Sequence, residues 1–386
     1  MTFKRSFFFT FTIASLVMVA FFAGFLLNEW RHRQNDQFPI FEEAYSILLD
    51  HAFFSLPAAH SLEYGMIRGM LQAYTNAAND PHTSFLEPPQ AELENQSLAG
   101  KFGGIGVRLG NDSEGNWILF PFPDGPAAQA GIQENDRLIG VDSLEVIPQT
   151  PSDTLQAAIR GPEGEKVTIR LARPPDFTTL EFIIQRQEIA LPSVTWHLDS
   201  NEPRLGVIEV NIIADPTAQE IQNGVKDLSA RGASAFILDL RNNGGGLLDT
   251  GIEIVRLFLK DGVVMQQQFR GEGVETYNVD RPGPLADIPM VVFINGGTAS
   301  ASEIIAGALQ ARGRAKLIGE TTYGKNTIQL VFELHDKSSL HVTAAQWWIP
   351  GLDAPKPGKG LSPDIPVSPG GPPDPYIQAA IQILFP

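Results

Sequence analysis

Asn295-Gly296-Gly297-Thr298-Ala299-Ser300-Ala301-Ser302-Glu303 links the apolar run Met290–Ile294 to a segment, Ser300–Ala311, whose apolar spacing predicts a helix. A short buried strand, a turn of glycine and small residues, and then a helix make a joint of a layered α/β fold. A hydroxyl at this joint sits at a helix N-terminus, where backbone N–H groups lack intrahelical partners and the dipole favours negative charge. An alkoxide or a developing oxyanion would be stabilised there, and the small neighbours let a peptide backbone come close. Thr298, Ser300 and Ser302 are equally suited to simple helix capping, so the stretch alone does not decide between the two readings.

Outward from this joint the pattern repeats. Leu205–Val210 and Ala235–Leu240 are further short apolar runs that read as buried strands, and Asp215–Leu228 and Thr250–Leu259 read as helices between them. The expected class is mixed α/β. Upstream, Phe41–Leu49, Leu62–Ala77 and Glu87–Ser97 carry helical spacing, with Asp80-Pro81-His82-Thr83 as a helix stop. From Phe102 the chain changes to short strands and glycine turns, through Gly103-Gly104-Ile105-Gly106-Val107, Trp117–Phe120, Val167–Leu171 and Leu180–Ile184, with one helix at Asp153–Ile159. The Pro- and Gly-rich tail Pro350–Pro375 should wrap the surface, and Tyr376–Leu384 should close as a helix. The divisions that follow are 1–30, an N-terminal segment; 36–98, a helical region; 99–187, a small strand domain; and 188–386, the α/β body.

Composition narrows the function classes. The 386 residues carry a formal net charge of −16, and no basic run follows the first residues, so nucleic acid is not an expected partner. The absence of cysteine excludes disulfides, thiol catalysis and cysteine-bound zinc. Lys4 and Arg5 precede the charge-free, apolar Phe7–Leu27, which is long enough to span a bilayer and is followed by no clean Ala-x-Ala site. It reads as an uncleaved membrane anchor rather than a cleaved signal, with the acidic body on the exported side.

A nucleophilic serine needs a base. None of the seven histidines sits in a glycine-rich turn beside an apolar strand, but Lys325 does, at the end of Gly319-Glu320-Thr321-Thr322-Tyr323-Gly324-Lys325 after the strand Ala315–Ile318. A lysine serves as a base only when neutral, which requires burial or nearby positive charge.

Taken together, Ser-Ala-Ser-Glu, Gly-Arg-Ala, Gly-Glu and Tyr-Gly-Lys within Val291–Gln329, with Asp80–Leu86, Gly103–Val107, Asp239–Gly246 and Gly358–Val367, resemble the C-terminal processing peptidases, also called tail-specific proteases. The resemblance extends over nearly the whole chain behind the apolar segment. It implies a crotonase-like α/β serine protease core with an inserted PDZ domain. Ser300 would be the nucleophile, Lys325 its general base, and Gln329 the residue that orients the lysine. In an extended strand Lys325 and Gln329 would share a face. The oxyanion donors implied are the N–H of Ala301 and one from the glycine pair, Gly245 or Gly246. Asp239 and Arg241 are expected to hold that turn. Asn326 stands where the family often has glycine, and asparagine tolerates left-handed backbone.

The same resemblance assigns Gly103, Gly104, Ile105, Gly106 and Val107 to binding a peptide's terminal carboxylate, with the following strand pairing to the peptide. The implied activity is an endopeptidase that captures exposed, rather apolar C-termini of exported proteins and cleaves through an acyl-enzyme, with no metal or other cofactor. An adaptor or a second copy of the chain are further partners it allows. A catalytically silent PDZ scaffold is the alternative, opposed by the joint presence of Ser300, Lys325 and Gln329. A histidine-dependent esterase is opposed by the missing Gly-x-Ser-x-Gly, since Thr298 and Ser302 flank Ser300 at the glycine positions.

Overall fold

The computed structural model describes residues 38–112, 114–190, 192–353, 359–371 and 374–385. The apolar segment Phe7–Leu27 lies outside these, and among the described residues no helix is long and apolar enough to cross a membrane. The chain divides into two compact units at Ile67/Arg68. The first contains α1 (Pro39–His51) and the opening turns of α2 (Ala59–Ala78).

The second unit begins with β1 (Ser84–Leu86) and α3 (Pro88–Leu98) and continues into the small strand domain. There, β2 (Lys101–Gly104) precedes β3 (Val107–Asn111), β4 (Trp117–Pro121), α4 (Pro126–Gln129), β5 (Asp136–Val141) and β6 (Leu144–Glu145). It closes through α5 (Ser152–Ile159), β7 (Lys166–Arg173), β8 (Thr178–Gln185) and β9 (Gln187–Ala190). The sheet order is β3-β4-β5-β7-β8, with β6 on β5. Its core packs Ile105, Leu119, Leu138, Leu155, Ile169 and Leu171, all fully buried or nearly so. At the two ends of this block β2 and β9 pair antiparallel.

The α/β body starts with β10 (Val194–Leu198), β11 (Leu205–Val210), α6 (Thr217–Ala230), β12 (Ala235–Asp239) and α7 (Leu248–Phe258). After β13 (Val263–Phe269) and β14 (Val274–Asn278) come β15 (Met290–Ile294), α8 (Ala301–Ala311) and β16 (Lys316–Gly319). The last elements are β17 (Thr327–Glu333), β18 (Ser339–Trp348), β19 (Ile365–Pro366) and α9 (Pro375–Leu384). One sheet runs β10-β11-β12-β15-β16-β19, parallel from β11 onward. Alternation along β15 shows why its run is uniformly apolar. Val292 and Ile294 enter the core shared with Ile252, Val255, Ile304 and Ile305 of α7 and α8. Val291 and Phe293 enter the opposite core, shared with Tyr376 and Ala380 of α9. A strand covered on both faces has no polar side to show.

The tail contributes more than a surface wrap, because β19 adds a parallel edge strand to β16. A second sheet, β1-β18-β13-β14 with β17 on β18, is antiparallel throughout. It carries the region after Lys325 and was not foreseen as a sheet from the sequence.

Candidate active site

Ser300 occupies the N-cap of α8 with φ 56° and ψ −122°, a left-handed conformation costly for a residue with a Cβ. The surrounding bonds over-determine it. The Ser300 N–H donates to Glu303 Oε2 at 3.0 Å, and the N–H of Glu303 returns to the Ser300 carbonyl at 2.8 Å. The Thr298 hydroxyl donates to the Leu240 carbonyl at 2.8 Å and accepts from the Asn295 N–H at 3.0 Å. Fully buried Asn243 ties three segments together: its amide donates to the Val210 carbonyl at 2.6 Å, while its Oδ1 accepts from Ser302 Oγ at 2.8 Å and from the Gly245 N–H at 2.9 Å.

Gly245, with φ 105°, must be glycine, since a Cβ there would lie 2.9 Å from that of Ser300. Its N–H is committed to Asn243. Gly246 lines the cavity in front of Ser300, as does Ala301, whose N–H opens α8 and has no partner within the helix.

That cavity, about 320 Å³, brings Ser300, Ala301, Gly246, Lys325 and Gln329 together, with Leu248, Ile304, Ile328 and Trp347 as apolar wall. Lys325 is half-buried. Burial pushes its ammonium down from the ordinary lysine range, opposed in turn by the carboxylates of Glu303, Glu94 and Asp80. A larger hollow of about 670 Å³, around Glu209, Arg241 and Asp374, shares none of this lining. At its rim Arg241 pairs with Asp239 at 2.5 Å and stacks on Phe293 and Tyr376, holding the turn after β12.

Glu303, a residue given no separate role in the sequence reading, joins the two halves of the site. It is fully buried, and its carboxylate accepts the N–H groups of Ser300, Gly324 and Lys325 at 3.0, 2.8 and 2.9 Å and the Thr322 hydroxyl at 2.6 Å. The signal was present: Ser300-x-x-Glu303 is a capping-box spacing. The contributions of Asn243, Asp80 and Thr343 had no comparable local signature.

Three expectations change in detail. Lys325 lies outside β17, and a register shift between Ile328 and Gln329 interrupts the ladder, so simple alternation does not place the pair, although both line one cavity. The Gln329 amide donates to Thr327 Oγ1 at 3.0 Å and Thr343 Oγ1 at 3.2 Å. Asn326 is not left-handed; Gly324, at φ 92°, makes that turn.

In the small domain, Ile105, Gly106 and Val107 line a groove of about 260 Å³ with Phe122, Gln156 and Ile159. Gly103 and Gly104 do not line it. They belong to the β2–β9 ladder, where a Cβ on Gly103 would strike the Gly161 carbonyl and one on Gly104 would strike the Phe102 ring. The groove has an apolar interior and lies between β3 and α5.

Residues 204–367 match peptidase family S41, and residues 123–173 match the PDZ domain. A carboxy-terminal-processing protease of Bartonella bacilliformis is 30% identical over 318 residues, covering 81% of this chain and 71% of its own. The chain belongs to the carboxy-terminal processing proteases of peptidase family S41. Another relative, the carboxyl-terminal-processing protease of Picosynechococcus sp., is 37% identical over 275 residues, 70% of this chain and 66% of its own. With Synechocystis and Bacillus subtilis relatives the matched share is 64% and 59% of theirs, so this S41 chain spans under two thirds of the length of several relatives. A solved structure titled photosystem II D1 C-terminal processing protease is similar at 29% identity and a TM-score of 0.46, covering 84% of this chain and 86% of that one.

Proposed function

We propose that this chain is a serine endopeptidase in which Ser300 attacks and Lys325 is the general base, and that it selects polypeptides by their C-termini. The observation that carries the reading is the single buried carboxylate of Glu303, which fixes both loops so that Ser300 and Lys325 open onto one cavity. Burial loosens the lysine's proton, as a base working near neutrality requires. Neutral Lys325 takes the Ser300 proton as Oγ bonds to the scissile carbonyl carbon, then gives it to the leaving amine, and water releases the acyl group. The developing oxyanion would accept from the Ala301 N–H and, with Gly245 engaged by Asn243, from Gly246. Gln329, its amide held by two threonines, would offer its carbonyl oxygen to the lysine.

The groove at Ile105–Val107 would take the substrate's terminal carboxylate on backbone N–H groups and its last side chain in the apolar interior. Residues 99–187 are assigned to this module and 188–386 to the catalytic body. Exported proteins are the assigned substrates, with the N-terminal apolar segment, 1–30, as the anchor.

The test is hydrolysis of one peptide with an apolar C-terminus, supplied free and amidated. Ser300→Ala, Lys325→Ala and Lys325→Arg should each lower kcat/KM by about 10⁴-fold or more, and the double alanine variant should add little. Amidation should slow the wild type, and Gly106→Asp should slow cleavage of the free form. Retained cleavage by Lys325→Ala would remove the mechanism, whereas equal rates on both peptides would remove C-terminal selection.

A further inference from the structure

Strand β17 is paired on one side only, and among the described residues no other strand adjoins its opposite edge. The direction of its main-chain groups can be counted. The Leu334 N–H donates to the Ser338 carbonyl at 2.8 Å, and the register continues from Glu333 opposite Ser339 to Gln329 opposite Thr343. In an antiparallel ladder, residues that exchange hydrogen bonds alternate with residues whose N–H and C=O point away. From Leu334, therefore, Phe332 and Leu330 face β18, whereas Glu333, Val331 and Gln329 turn their main-chain groups to the free edge.

Gln329 and Val331 also line the cavity that holds Ser300 and Lys325. Edge strands are ordinarily guarded by charge, proline or short length. Here Leu330, Val331 and Phe332 stand in sequence at 39%, 53% and 49% exposure. An unguarded apolar edge that continues the catalytic cavity needs an occupant that brings both main-chain partners and apolar side chains.

We infer that the free edge of β17 is the track on which the substrate lies as an added strand, with main-chain bonds to Gln329 and Val331 setting the register of the scissile carbonyl at Ser300. This rests on the peptidase reading of the same cavity. The occupant is an extended stretch of polypeptide flanking the cleaved bond, because the strand begins just after Lys325 and its first half forms the cavity wall. Added-strand binding takes affinity from the backbone and leaves side-chain choice to adjacent pockets. It would let one enzyme cut varied sequences once the separate groove at Ile105–Val107 has captured a terminus.

The experiment uses the full chain and a peptide whose last four residues are left untouched, so that the small-domain groove is not probed. Each amide flanking the cleaved bond is N-methylated in turn. Hydrolysis is measured with wild type and binding with Ser300→Ala. Every second methylation should lower kcat/KM and binding by about 10-fold, with the intervening ones within about 2-fold, since each such methyl group removes one hydrogen bond and also blocks the edge. On the protein side, Val331→Pro removes an outward N–H and should keep the Tm while losing about 10-fold in kcat/KM, and Val331→Ala, which keeps that N–H, should lose measurably less than Val331→Pro. Leu330→Pro, which removes a ladder N–H, should instead lower the Tm. A flat methylation profile with Ser300-dependent cleavage overturns the inference and leaves the peptidase reading standing. Absent hydrolysis fails that reading, and the binding profile still decides this one. If Val331→Pro abolishes self-association and leaves cleavage unchanged, the edge serves a second copy of the chain and the inference is wrong.

Discussion

The turn that presents Ser300 and the loop that presents Lys325 lie against the same cavity, yet they are held in different ways. The Ser300 turn is anchored partly within its own segment: Thr298 bonds to Asn295, and Glu303 reaches back to Ser300. Asn243 and Leu240, at the end of the neighbouring parallel strand, add the rest. The Lys325 loop depends on distant partners. Glu303 takes Thr322, Gly324 and Lys325, the Thr298 carbonyl accepts the Tyr323 N–H, Leu361 exchanges bonds with Thr322, and the Asn326 carbonyl accepts the Trp347 N–H. Under the proposed mechanism, a Ser300 turn built from local redundancy should tolerate the loss of one anchor, whereas a Lys325 loop positioned from afar should not.

Glu303→Ala offers the largest break in that comparison. It leaves four donors without their acceptor, those of Thr322 and Gly324 buried and those of Ser300 and Lys325 part-buried at the cavity wall. Stability should fall by about 3–5 kcal/mol, since each stranded buried donor costs about 1–3 kcal/mol and some will relax. Among molecules that remain folded, kcat/KM should fall by about 100-fold or more, because a displacement of about 1 Å at a reacting group can cost that much. Ser302→Ala, by contrast, removes one of several anchors on the Ser300 side and should cost about 1 kcal/mol with little effect on rate. Urea unfolding alongside peptide hydrolysis separates the two. Equal rate losses in both variants would show that the two loops depend on each other symmetrically.

The same contrast explains what the sequence disclosed. Strands β11 and β15 were legible to the residue because both faces are buried, which leaves uninterrupted apolar runs with turns on either side. The strand-to-helix joint at Ser300 was legible because its glycine and small residues are dictated by local geometry. The antiparallel sheet was not. Strand β17 reads Thr-Ile-Gln-Leu-Val-Phe-Glu, apolar on both alternating faces over its centre, and β18 mixes histidine, threonine and glutamine into its pairs. Strand β17 lacks the period-2 signature of a half-buried strand, and β18 alternates over Ser339–Ala344 in the inverted sense, with Ser339 and His341 buried and Leu340 and Val342 only partly so. Gly103 and Gly104 were drawn into the binding loop by continuity with Ile105-Gly106-Val107, and only pairing across to β9, far along the chain, assigns them to the ladder.

A smaller effect is expected where the N-terminal part of the second unit braces the lysine side. The Thr343 hydroxyl donates to Asp80 Oδ1 at 3.0 Å and accepts from the Gln329 amide at 3.2 Å. Burial pushes the Asp80 carboxyl up, but bonds from Thr83, His82 and Thr343 outweigh it and hold the group below the usual carboxylate range. Thr343→Val keeps the shape and removes the relay, so it should cost about 1 kcal/mol in stability and about 10-fold in kcat/KM if Gln329 steadies the lysine. Gln329→Ala and the double variant complete the cycle. Additive losses would show that Thr343 acts on something other than Gln329.

The smallest change expected is a shift in pH dependence from Glu94, which sits on α3, directly before the small domain, and lines the cavity shared by Ser300 and Lys325. Its carboxylate lies 3.1 Å from His341 Nε2 and favours the protonated form of Lys325. In the proposed mechanism Lys325 acts only after losing its proton, so kcat/KM should rise with pH through the depressed lysine pKa. Removing a nearby negative charge destabilises the ammonium and lowers that pKa further. Glu94→Gln should therefore move the rising limb to lower pH. At a pH below the wild-type midpoint the variant should be faster by a few-fold, about 2–5, and above it the two should converge. The His82 ring, pushed down by burial and then by the charge on Lys325, reports on the same change from the other side. Its titration, followed by NMR, should move upward in Lys325→Met, where that positive charge is gone. A rising limb that stays in place in Glu94→Gln, or moves to higher pH, would mean that α3 contributes shape alone to the cavity and that the electrostatics of the lysine are set by Glu303 and Asp80.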